Sequence, residues 1–113
     1  MDELTQEEFD AARARGEARL RRGPLAESAH YDAQRDRIIV RLDTGIEIGF
    51  APADAEGLEN ASAADLSTIE IFASGLAINF PTLDEQFGVP ELVEGRLGSD
   101  RWMARRRTIR VAE

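Results

Sequence analysis

Apolar and polar residues alternate with a period of two through the middle of the chain. Ile38, Val40 and Leu42 alternate with Arg37, Arg41 and Asp43, and Ile46, Ile48 and Phe50 alternate with Glu47 and Gly49. Successive side chains of a strand point to opposite faces, so each apolar set shares one face. Asp43-Thr44-Gly45 between the two runs reads as a short hairpin turn, with Gly45 available for positive φ. A second hairpin follows: Ile69 and Ile71, a turn at Ser74-Gly75, then Leu76, Ile78 and Phe80. A weaker run, Glu27 to Asp32, reads as a leading strand before a turn at Asp32 to Asp36. The pattern predicts an antiparallel sheet of four or five strands with one buried face.

That face needs a cover. Residues 1–23 read as an amphipathic helix: Thr5 and Glu8 have capping-box spacing, Leu4 and Phe9 form a hydrophobic staple, and Gly23-Pro24 ends it. Its apolar stripe of Phe9, Ala12 and Leu20 is thin, so it should dock on the body or on a partner. Two short helices are also predicted. One runs near Ser62 to Ser67, with Ser62 as cap and Leu66 facing in. The other lies within Val89 to Gly95, with Pro90 in its first turn and Gly95 after its end. The expected fold is α+β, in three parts: helix 1–23, sheet domain 24–98 and tail 99–113. Leu97 to Asp100 reads as the nearest thing to a linker.

Composition narrows the chemistry. The 113 residues carry no Cys, one His, and 14 basic residues that are all Arg, against 22 acids, for a net charge of −8. Without Cys there is no disulfide or thiolate chemistry, and without Lys no Schiff base or Walker-type phosphate loop. No apolar run reaches the roughly 20 residues of a membrane span, and the acidic start does not resemble a signal peptide. The expectation is a soluble protein of a reducing compartment, bacterial cytoplasm in particular.

Candidate catalytic groups are sparse. Asp43-Thr44-Gly45 matches the tripeptide of aspartic proteases, but that chemistry needs two carboxylates sharing a proton, and Ile46 stands where a small residue is usual. His30 lacks companion thiols and a paired nucleophile. The pairs Asp84-Glu85 and Glu91-Glu94 read as helix-start and surface carboxylates. We therefore expect no catalytic residues, no cofactor and no metal, and a protein that is not an enzyme.

Charge is unevenly placed. Residues 23–100 carry 4 Arg and 15 acids, a balance of −11, whereas residues 101–113 carry 5 Arg and one acid, a balance of +4. The candidate partner-binding residues are Arg101, Trp102, Arg105, Arg106, Arg107 and Arg110, which combine cationic forks with an aromatic anchor. The alternative is that the tail folds back, Trp102-Met103 extending the core and Thr108 to Val111 adding an edge strand.

Residues 26 to 98, about two thirds of the chain, resemble the small bacterial domain of unknown function family 2442. The resemblance rests on the strand, the Asp43-Thr44-Gly45 turn, the strand ending at Phe50, the short helix at Ala63 to Leu66, Phe80-Pro81-Thr82-Leu83-Asp84, and Val89 to Gly95. The family usually has Trp where Phe80 stands, and an Asp-Gly turn one residue shorter. The resemblance implies a small α+β protein without assigned activity, of a kind often encoded beside toxin–antitoxin-like gene pairs. Together these readings lead to a non-catalytic, antitoxin-like or accessory module that binds a protein partner. The alternatives are a nucleic-acid-associated transcriptional regulator using the Arg-rich tail, and an inhibitor of a nucleic-acid enzyme by acidic mimicry. A homodimer through an edge strand is a geometric option.

Overall fold

A computed structural model describes residues 23–112, with side chains through Arg106. The helix expected over residues 1–23, with its Thr5 cap, lies outside the described residues except at Gly23. Six strands form two three-stranded antiparallel meanders rather than one sheet of four or five strands. The first comprises β1 (Ala26–Asp32), β2 (Arg37–Leu42) and β3 (Glu47–Phe50), and the second β4 (Glu70–Phe72), β5 (Ala77–Phe80) and β6 (Glu85–Gly88). Between them lie a single 3₁₀ turn, Pro52–Asp54, and helix α1 (Ala63–Ser67); helices α2 (Val89–Val93) and α3 (Asp100–Ala112) close the chain.

The period of two places the first core face as expected. Ile38 pairs with Phe50 and Val40 with Ile48, and Ile38, Val40 and Leu42 are buried. Ile46 falls in the turn instead, 61 % exposed, because β3 begins only at Glu47. In the second meander Ile71 pairs with Ile78, which pairs in turn with Phe87. Phe80 and Phe87 meet edge to face with ring centroids 6.0 Å apart, and Phe50 of the first meander stands 6.2 Å from Phe87. The principal cover of each apolar face is therefore the other meander, and the short helices fill the margins. Leu58, Leu66, Val89 and Leu92 plug the core from the connections. Two small faces suffice because aromatic pairs across them bury large areas with favourable ring geometry.

Local chemistry explains the turns. Asp32 Oδ1 accepts from the N–H groups of Gln34 and Arg35, at 3.1 and 3.2 Å, which bends the chain from β1 into β2. Gly45 adopts φ 93° in the turn from β2 into β3. The β4–β5 turn holds Ala73, Ser74 and Gly75 all at positive φ. Ser62 caps α1 through its hydroxyl, which accepts from the N–H of Asp65 at 3.2 Å. After α2, Gly95 at φ 86° lets its N–H reach Leu92 O while Arg96 N–H reaches Glu91 O.

The end of the chain departs from two expectations. Thr108 to Val111 is helical within α3, not an edge strand. No strand edge is needed to satisfy its backbone, because Ser99 starts a helix: Ser99 Oγ accepts from Trp102 N–H at 3.2 Å. Leu97 to Asp100 is no loose linker either. Glu56 N–H donates to Leu97 O at 2.9 Å, and Ser99 N–H donates to Glu56 Oε1 at 2.8 Å.

Candidate functional site: an acidic groove beside the C-terminal helix

The site is assembled from four pieces: the edge strand β6, the turn residues Glu56 and Gly57, Glu91 of α2, and the segment from Arg96 to Gly98. They bound a groove of about 470 Å³ whose walls carry Glu56, Glu85, Gln86, Phe87, Gly88, Glu91, Arg96 and Gly98. Two glycines let carboxylates sit close to the backbone. A Cβ on Gly57 would lie 2.4 Å from the Glu85 carboxyl carbon, and one on Gly88 2.7 Å from a Glu91 oxygen. Glu85 pairs with Phe80 and so lies at the margin of the core-facing side. Burial, and then the carboxylates of Asp84, Glu56 and Glu59, hold its carboxyl above the usual range. Among the described residues neither Glu85 nor Glu91 forms an ion pair. Arg96, the one cation on the groove wall among the described residues, pairs with Asp100.

The tail lies alongside. Trp102 Nε1 donates to the Asp54 carbonyl at 2.9 Å, and Arg106 pairs with the Asp54 carboxylate. The Arg106 guanidinium also stands 5.9 Å from the Trp102 ring centroid, a cation–π distance. Of the six residues singled out from sequence, Trp102 and Arg106 are thus turned onto the body, while Arg101 and Arg105 are exposed. The side chains of Arg107 and Arg110 lie outside those described. Sequence reading passed over Glu56 and Glu85 as partners in one groove. Glu56 falls in no motif, and the strand around Glu85 has a single large apolar residue, Phe87, too few to reveal a period.

The other candidates have structural tasks. Asp43 of the protease-like tripeptide accepts from Leu25 N–H through Oδ1 at 3.2 Å and donates its own N–H to Leu25 O at 2.8 Å. His30 is exposed on β1. Among the described residues no group of three His, Cys, Asp or Glu is placed to hold a metal ion, and no helix is long and apolar enough to cross a membrane.

A pair of packed three-stranded meanders with short covering helices defines a small α+β domain. The chain belongs to the family described as protein of unknown function (DUF2442), whose model matches residues 26–98. It is similar to a protein of unknown function from Rhodospirillum rubrum, known from a crystal structure, at 38 % identity over 72 % of this chain and 98 % of that one, with a TM-score of 0.69. It is also similar to an uncharacterized protein from Chromobacterium violaceum with a solution NMR structure, at 34 % identity over 94 % and 96 % of the two chains, with a TM-score of 0.71. No curated protein matches.

Proposed function

We propose that this protein is a non-catalytic binding module that engages a basic segment of a protein partner, in the manner of an antitoxin or accessory subunit. The observation that carries this reading is the groove lined by Glu56, Glu85 and Glu91, in which, among the described residues, neither Glu85 nor Glu91 forms an ion pair. A wall with three carboxylates against one guanidinium attracts Lys and Arg side chains and repels phosphates, and the −11 balance of residues 23–100 extends the same field. The tail favours this reading over nucleic-acid binding, since Arg106 is already paired with Asp54. Exposed Arg101 and Arg105 add a separate cationic rim that suits an acidic patch on the same partner.

Capture from native lysate at moderate salt tests the proposal. Bait forms are the intact chain, a Glu85→Gln/Glu91→Gln variant and a chain lacking residues 101–113. The expected result is a stoichiometric protein that the double variant loses and that raised salt releases. Recovery of nucleic acid instead, and only with the tail present, would replace the proposal with the regulator reading.

A further inference from the structure

We infer that the groove is a strand-addition site: a basic extended peptide pairs with the free edge of β6 as a fourth strand of the second meander. This rests on the acidic-groove reading and specifies how the partner binds. The argument starts from register. Val89 N–H donates to Leu76 O at 2.7 Å, and the pairs then run Ala77 with Gly88, Ile78 with Phe87, Asn79 with Gln86 and Phe80 with Glu85. In an antiparallel ladder, residues alternate between bonding inward and pointing their N–H and C=O outward. Counting from Val89, Phe87 and Glu85 bond inward to β5, so Gln86 and Gly88 direct their N–H groups to the edge. Among the described residues no hydrogen bond from beyond the meander reaches either of them.

That edge is the side on which the groove lies, since Glu85 to Gly88 are all groove residues. Edge strands are ordinarily short, charged or covered. Here β6 is four residues long, so it offers about 13 Å of edge, matching an extended peptide of about four residues. Glu56 and Gly98 line the same groove of about 470 Å³, opposite a recessed rather than a flat edge. A strand added here alternates its side chains between the two faces of the sheet. One set meets Glu85 and Glu56, the other Glu91 above Gly88. Backbone pairing supplies affinity and the carboxylates select Arg or Lys.

The test uses the full chain and a blocked pentapeptide, acetyl-Val-Arg-Val-Arg-Val-amide, followed by amide NMR shifts and hydrogen exchange. With peptide at about ten times its Kd, exchange at Gln86 and Gly88 should slow by about tenfold. The same peptide N-methylated at every backbone amide should not bind. Gln86→Pro should weaken binding by about tenfold or more while keeping the fold, because proline is tolerated where an edge N–H faces outward. If both peptides bind alike, exchange at Gln86 and Gly88 is unchanged and Glu91→Gln still weakens binding, strand addition is overturned and the acidic-groove reading survives. If neither peptide binds at about 1 mM, the strand-addition inference falls; the lysate capture then decides the broader reading by itself.

Discussion

The indole Nε1 of Trp102 donates to the carbonyl of Asp54 across 48 residues of sequence, at 2.9 Å. This bond and the Arg106–Asp54 pair tie α3 to the turn that follows the first meander. The start of α3, with Arg101, Arg105 and Arg106, is thereby held next to the acidic groove, whose lining includes none of them.

Trp102→Phe keeps an aromatic side chain, though a smaller one, and removes the donor; it should lower stability by about 1 kcal/mol or more, read from urea midpoints. Asp54→Asn should loosen α3 from the body without unfolding the meanders. Trp102 is the only tryptophan, so its fluorescence reports the change directly: emission should shift to the red in Asp54→Asn while far-ultraviolet dichroism keeps its strand signature.

Glu85 provides a test by pH. Its folded carboxyl titrates above the unfolded value because burial and neighbouring carboxylates disfavour the charge. The folded state therefore binds the proton more tightly, and stability falls as pH rises through the window between the unfolded and folded values. Glu85→Gln should raise the Tm at neutral pH, and the gain should vanish below the unfolded carboxylate pKa. A Tm difference that does not change between neutral and acidic pH would contradict the electrostatic cause.

Gly75 sits at φ 100°, and a Cβ there would stand 2.9 Å from Ala26 O and from Leu25 Cβ. Both backbone strain and crowding oppose any side chain. Gly75→Ala should destabilise by more than about 1 kcal/mol, by denaturant titration, whereas Gly23→Ala, where a Cβ meets nothing within 4 Å, should have little effect.

Ser62→Ala removes the cap on the Asp65 N–H. The expected loss is about 1 kcal/mol. Exchange of the Asp65 amide should quicken while the β2 amides stay protected.

Much of the local structure was legible in the chain itself. The alternation over residues 38–50 gave the first hairpin and its core face, Ser62 and Leu66 gave α1, and Pro90 with Gly95 gave α2, because periodicity, caps and turn glycines act over a few residues. The motifs over residues 26–98 also carried the family. What stayed hidden depended on long-range packing. Ile39 reads as solvent-facing by strict alternation, yet it is 7 % exposed. Opposite it stands Gly49, where a Cβ would approach Ile39 Cδ1 to 3.0 Å, so the bare glycine gives that side chain its room. The strand at Glu85–Gly88 has no period to read, and it exists because β5 offers it a ladder. Division into two meanders, the folding of Trp102 and Arg106 onto Asp54, and the meeting of Glu56, Glu85 and Glu91 in one groove were likewise decided only by tertiary structure. Residue order specifies which faces are apolar and where the chain turns, but not which apolar face covers which. That choice follows from packing the two sets of aromatic and aliphatic side chains against each other, and it is what brings distant carboxylates together.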